Sequence, residues 1–212
     1  MKLQVALDFS FTTEKAIDLL EKIKDSIDII EIGTPFVMEE GLRPIKKIKE
    51  RFPEKQILAD LKIVDAGSYE AEAAFRSGAD IVTVLAVADD MTVKNACEAA
   101  EKYKKEILVD MLSVDDLKKR ICEIDSLNPD YICLHTSKDL QKINQNASEA
   151  FRELKKSVKN TRLALAGGIY AENISSYAEI KPDLIIVGEG ISSAKDPGAE
   201  AAYIKNVIKN YE

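Results

Sequence analysis

The sequence predicts a single-domain (β/α)8 TIM barrel over residues 1–212, and three observations predict it. Eight short runs rich in Val, Ile and Leu alternate with longer, charged stretches of helical periodicity. The runs are nearly continuous in apolar residues, the pattern of parallel strands covered on both faces. A chain of 212 residues holds one sizeable core, and no stretch reads as a linker or low-complexity segment.

The first strand is expected over 3–8. A helix over 14–24 follows, with Thr13 as its cap and Ala16, Ile17, Leu20 and Ile23 as its apolar face. A strand over 28–33 leads to Leu42, Ile45, Ile48 and Phe52, a helical stripe that Pro53 ends. The third strand, 56–62, precedes a helix over 67–77 stopped by Gly78. Strands over 80–85, 106–111 and 130–135 are separated by helices over 90–104 and 114–127, the second ending near Asn128-Pro129. A helix over 146–159, a strand over 162–167, a helix over 172–180 and a strand over 183–188 follow. Asp196-Pro197 then opens the last helix, 197–211, as cap and first-turn proline. Gly78, Pro129 and Pro182 each stand just before an aspartate that opens a strand: Asp80, Asp130 and Asp183. An open doubly wound sheet is the alternative fold. Against it, Asp8-Phe9-Ser10-Phe11 follows the first strand where a G-x-G-x-x-G turn would stand.

Composition excludes several classes of function. Hydrophobic and charged fractions of 46% and 32% are those of a water-soluble globular chain, and the net charge of −7 offers no footprint for nucleic acid or an anionic membrane. No apolar run reaches membrane-spanning length, and the apolar stretch before Asp8 is too short for a secretion signal. Cys97, Cys122 and Cys133 are odd in number and lack metal-ligand spacing. A cytoplasmic protein is expected.

The chemistry centres on Ile57-Leu58-Ala59-Asp60-Leu61-Lys62-Ile63-Val64-Asp65. Asp60 and Lys62 are two apart in an apolar run, so a strand points both to one face. A structural ion pair is one reading. The other is an active site, because Asp8, Glu31, Asp110 and His135 also stand in or at the end of apolar runs, and a barrel keeps its chemistry at strand C-termini. Glu31 and Asp60 could chelate one hard divalent cation, Mg2+ by preference. Lys62 could stabilise an oxyanion, and His135, the chain's one histidine, could act as acid or base. Gly167-Gly168 and Gly188-Glu189-Gly190 follow the last two strands, where barrels expose backbone amides to phosphate; tight turns alone would also explain them.

Asp60-x-Lys62-x-x-Asp65 resembles the D-x-K-x-x-D motif of the orotidine 5′-monophosphate decarboxylase superfamily. The segments 3–8, 31–35, 58–67, 80–85, 108–111, 135–136 and 166–169 extend the resemblance along nearly the whole chain, toward the 3-hexulose-6-phosphate synthase family. That resemblance implies a Mg2+-dependent aldol condensation of formaldehyde with D-ribulose 5-phosphate through a 1,2-enediolate. It implies Glu31 and Asp60 as metal ligands. On these residues Lys62, held by Asp8, Asp60 and Asp65, would stabilise the enediolate, and His135 would be the base for the C1 proton or the acid for the new alkoxide. Phosphate would lie at Gly167, Gly168, Gly188, Glu189 and Gly190. It further implies a homodimer in which Asp65 enters the partner's site. Glu189 stands in the phosphate turn where a glycine or an arginine is more usual in the family, and Lys138 where the sister 3-keto-L-gulonate-6-phosphate decarboxylases resemble Arg, which argues against that decarboxylase. The 3-keto-L-gulonate-6-phosphate decarboxylases and a non-catalytic phosphosugar-binding barrel are the alternatives. Ribulose-phosphate 3-epimerase is disfavoured because it needs a pair of metal-binding histidines.

Overall fold

A computed structural model of the chain describes residues 1–8, 11–137 and 147–211. Eight parallel strands, β1 (Lys2–Leu7), β2 (Ile29–Ile32), β3 (Gln56–Ile63), β4 (Ile81–Leu85), β5 (Glu106–Asp110), β6 (Tyr131–His135), β7 (Arg162–Ala166) and β8 (Leu184–Val187), pair in sequence order. β8 closes the barrel on β1, with Lys2 opposite Leu184 and Val5 opposite Val187. The helices between them are α1 (Thr13–Ile23), α2 (Thr34–Glu40), α3 (Arg43–Arg51), α4 (Gly67–Arg76), α5 (Asp90–Tyr103), α6 (Leu117–Ser126), α7 (Ala147–Lys155), α8 (Ile174–Ala178), α9 (Glu189–Ser192) and α10 (Pro197–Lys209). The expected (β/α)8 barrel is the fold.

Strand alternation divides the apolar residues into two layers. One set, including Ala6, Ile29, Leu58, Ile81, Leu108, Tyr131, Leu184 and Ile186, fills the barrel interior. Their neighbours, among them Val5, Ile30, Ile57, Val82, Val109 and Ile185, face outward against Leu20, Ile45, Phe75, Val93, Ile121 and Ile204 of the helices. This double covering is why the strands read as unbroken apolar runs.

Several helices differ from expectation: α7 ends at Lys155 rather than 159, and α8 spans Ile174–Ala178 rather than 172–180. α2 was hidden by Pro35, which sits in its first turn; Gly41, at φ 65°, stops it. Thr12, not Thr13, caps α1 by accepting from the Lys15 amide, while the Thr13 hydroxyl donates to Glu40 at 2.7 Å. α6 begins at Leu117 rather than 114 because the Asp116 carboxylate caps it.

The aspartates that open strands have a common task at the barrel's N-terminal end. Asp28, Asp80, Asp130 and Asp183 accept through Oδ2 from the amides of Leu3, Ile57, Ile107 and Leu163 at 2.7–2.9 Å. Each amide of these four donates back to the carbonyl of the same residue. Every even strand is thus clamped to the odd strand before it. Lys2, Gln56, Glu106 and Arg162, which open the odd strands, join by hydrogen bonds in that order across the barrel floor. Polar groups that close this end are fully used in structure, and the chemistry is left to the other end.

Asp80 also takes the ammonium groups of Lys49 at 2.8 Å and Lys105 at 2.6 Å. Burial raises its carboxyl, but Lys105, Lys49 and the Ile57 amide outweigh that and hold it below the ordinary range. Asp80→Ala should therefore destabilise the protein by about 1–3 kcal/mol at pH 7. A depressed folded pKa contributes stability above the unfolded value of about 3.9 that is lost as pH falls below it. Thermal unfolding should show the gap between wild type and variant closing toward pH 3; a constant gap would refute the assignment.

Candidate active site

The C-terminal strand ends enclose a cavity of about 340 Å3. Asp8 follows β1, and Glu31, Asp60 with Lys62, Asp110 and His135 come from β2, β3, β5 and β6; all line it. Register accounts for the grouping: Glu31 stands opposite Ala6 on one side and Leu58 on the other, at interior positions. Gly33 allows the close approach of β1 and β2 here, because a side chain at that position would collide with the Asp8 carboxylate and the Leu7 carbonyl.

β3 is not a regular strand where it matters. Its pairing with β4 shifts between Ala59 and Ile63, a bulge centred on the motif. Lys62 adopts φ 49°, the left-handed region that costs a non-glycine residue about 1–3 kcal/mol. Thr83 holds it there: its hydroxyl oxygen accepts from the Lys62 amide at 2.9 Å and donates to Asp60 Oδ1 at 2.8 Å. Thr34 donates to Asp60 Oδ2 at 2.9 Å. Asp60 and Lys62 do share a face, as alternation predicts, but the bulge sets their aim.

The Lys62 ammonium lies 2.7 Å from Asp60 Oδ2 and 3.5 Å from Asp110 Oδ2. Burial alone would lower its pKa; Asp60, Asp110 and Glu31 outweigh this and keep it firmly protonated. Asp110 Oδ2 is also 2.9 Å from His135 Nδ1, and Asp110 Oδ1 accepts from the Leu112 amide. Burial raises Asp110, yet His135, Lys62 and that amide hold it below the ordinary carboxylate range. Glu31 goes the other way. Burial, then the neighbouring Asp60 and Asp8 carboxylates, push it well above the usual range, against the pull of Lys62 and a hydrogen bond from Gln4.

The opposite wall is backbone. Gly167 and Gly168, at φ 93° and 69°, line the cavity with Gly188, Glu189 and Gly190. A side chain on Gly167 would strike the Thr136 carbonyl, and one on Gly190 would lie 2.5 Å from the Ile169 carbonyl. Asn173 pins the first turn, donating to the Gly168 carbonyl at 2.8 Å. Glu189 opens α9 with its side chain exposed.

Of the site residues expected from sequence, Asp65 alone lies off this cavity. It is exposed, and its Oδ1 accepts from the Ala66 amide. Lys138 lies outside the described residues. Sequence reading passed over Gln4, Thr34 and Thr83, although Gln4 and Thr83 carried a signal: each is a polar residue at an interior position of an apolar strand. Among the described residues no three of His, Cys, Asp and Glu converge into a metal cage. The chamber nevertheless suits a hard cation that brings most of its own shell, since the buried carboxylates of Glu31 and Asp60 and the half-buried one of Asp8 crowd together beside the partnerless Gln4 Oε1.

Residues 1–204 match the model of the orotidine 5′-phosphate decarboxylase / HUMPS family. The chain belongs to this family. It is 50% identical over 208 residues to the 3-hexulose-6-phosphate synthase of Bacillus subtilis (strain 168), covering 98% of this chain and 99% of that one. It is 45% identical to that of Staphylococcus aureus (strain USA300), covering 99% of both. The crystal structure of 3-hexulose-6-phosphate synthase from Salmonella typhimurium superposes with a TM-score of 0.96 at 40% identity, over 100% of both chains. KGPDC from Streptococcus mutans follows at 27% identity and a TM-score of 0.86, over 99% and 97%.

Within this family site, a raised Glu31 pKa has a cost. The folded state holds that proton more tightly than the unfolded chain, so stability is lost as pH rises above about 4.3. In chelator-treated protein, Glu31→Gln should raise the melting temperature at pH 7, and the difference should vanish near pH 4. Equal melting temperatures at pH 7 would show that Glu31 carries no such strain.

Proposed function

We propose that the chain condenses formaldehyde with D-ribulose 5-phosphate to D-arabino-hex-3-ulose 6-phosphate, the 3-hexulose-6-phosphate synthase reaction. One observation carries this reading: a single cavity has a Lys62–Asp60–Asp110–His135 chain, built on two buried aspartates, on one wall and glycine backbone on the other. The 50% identity to a curated relative of that name supports it, against 27% to the decarboxylase KGPDC.

Glycine amides at Gly167, Gly168 and Gly188–Gly190 would hold the phosphate, so that its binding energy orients the reacting end. Mg2+, held by Glu31 and Asp60, would supply Lewis acidity toward the sugar's carbonyl. With Asp110 accepting from Nδ1–H, the basic nitrogen of His135 is Nε2, which removes a C1 proton. The negative charge of the resulting 1,2-enediolate develops beside the Lys62 ammonium, which is already in place and needs no reorganisation. C1 then attacks the formaldehyde carbon as the sugar's C2 carbonyl re-forms; a C–C bond forms, the formaldehyde C=O π bond breaks, and the formaldehyde oxygen takes the proton from His135. Asp8 sits against β2 at the same mouth, where its carboxylate adds to the repulsion on Glu31.

Asp65 acts in a partner subunit's site under this proposal. It is exposed, off its own cavity, and flanked by exposed Val64 and Tyr69, a surface suited to a second copy of the chain.

A coupled assay with ribulose 5-phosphate and formaldehyde tests the reaction. Activity should disappear with chelator and return with Mg2+. Asp60→Asn and Lys62→Ala should each lower turnover by at least about 10²–10³-fold. Turnover that survives both substitutions would remove the mechanism, and decarboxylation of 3-keto-L-gulonate 6-phosphate in place of condensation would favour the KGPDC reading.

Mixing tests the shared site. Lys62→Ala and Asp65→Ala chains, each inactive alone, should regain activity when refolded together, because one site of the mixed dimer then has both residues. No recovery in a mixed dimer shown to form would place Asp65 outside catalysis.

A further inference from the structure

Gln4 is the least expected polar residue in the barrel. It lies within β1 between Leu3 and Val5, is fully buried, and lines the cavity from the interior face. Its Nε2 donates to Glu31 Oε2 at 2.5 Å, the one hydrogen bond that Glu31 receives among the described residues. Its other end, Oε1, is buried with no partner. A carbonyl oxygen buried without a donor destabilises a fold, and an apolar residue of similar volume would remove that penalty. The orphan atom therefore points to a task rather than to packing.

We propose that Gln4 is a positioning residue for the divalent cation. Its amide fixes Glu31 Oε2 against β1, leaving Glu31 Oε1 as the oxygen without a protein partner. Its own Oε1 accepts from a water that arrives in the cation's hydration shell. Mg2+ keeps several waters when it binds through one or two carboxylates, so a neutral acceptor beside them satisfies the shell without adding charge. A further carboxylate at this position would add to the repulsion that Glu31 already meets from Asp60 and Asp8.

This inference rests on Glu31 being a cation ligand, and the experiment separates the two. Calorimetric titration of Mg2+ alone into the chelator-treated full chain is compared for wild type, Gln4→Leu and Glu31→Gln, beside thermal unfolding in chelator. Gln4→Leu should weaken Mg2+ binding about 10–100-fold while its melting temperature in chelator equals or exceeds wild type. Gln4→Met is judged by the same criteria should the leucine variant fail to fold. Wild-type Mg2+ affinity in a folded Gln4 variant overturns the proposal, as does a melting temperature below wild type, which would mark Gln4 as structural. Loss of binding in Glu31→Gln with none in Gln4→Leu defeats the Gln4 proposal alone. Full binding in Glu31→Gln, or no Mg2+ binding by wild type, defeats the ligand assignment and Gln4 with it.

Discussion

One ammonium group organises the active face. Lys62 sits among Asp60, Asp110 and Glu31 at the half-open end of the barrel, and its charge is what lets those acids approach one another. The balance is incomplete. Among the described cavity residues Lys62 and His135 face Asp8, Glu31, Asp60 and Asp110, with Glu189 further round the rim, so acids outnumber bases even when His135 is charged. The deficit falls on Glu31, whose raised pKa is its direct expression: burial and two carboxylate neighbours make its ionised form expensive. A site with this imbalance gains from any cation that joins it, and oxygen ligands select a hard one.

Holding Lys62 in that position requires strain, and the fold confines the strain to one bulge. A left-handed lysine in a central barrel strand persists only where its surroundings leave it no alternative. Thr83 supplies the constraint, with one hydroxyl that bridges the Lys62 amide and the Asp60 carboxylate. The opposite end of the barrel carries the compensating order. Four aspartate clamps and the Lys2–Gln56–Glu106–Arg162 chain bind successive strands where no ligand approaches. The same residue type thus has two roles: aspartate at strand starts satisfies backbone, and aspartate at strand ends is left to shape a field.

Much of this was legible in the sequence, for stateable reasons. Strand number and order follow from apolar runs that two covering layers make nearly continuous, and Asp60 and Lys62 stood out because charge inside such a run is rare. The turn aspartates Asp80, Asp130 and Asp183 were visible as a recurring pattern, but not their clamps, because the amides they take lie 20–23 residues earlier, across a helix. α2 was missed because Pro35 looks like a breaker and serves as a helix start. The bulge at Asp60-Leu61-Lys62 was illegible: alternation gives the correct face for both charges, so nothing in the pattern reveals an irregular register. Gln4 and Thr83 were hidden by being neutral, since an uncharged polar residue in an apolar run draws little notice.

The two walls of the cavity together constrain what can occupy it. The glycine wall offers backbone amides and the turns to present them, which favours an anionic group. The acidic wall repels anions and accepts only electron-rich oxygens that come with a cation or lie against Lys62. The proposed ligand matches this polarity along its length, with a dianionic ester at one end and neutral carbonyl and hydroxyl oxygens at the other. Glu189 lines the cavity at this wall, and the residue as a whole is exposed. A phosphorylated ketose meets both conditions; a sugar carrying a carboxylate at the reacting end would bring a second negative charge toward Glu31, Asp60 and Asp110. Under the proposed reaction the acidic wall meets a neutral carbonyl rather than a second carboxylate, and that is the electrostatic difference between condensation and decarboxylation at such a site.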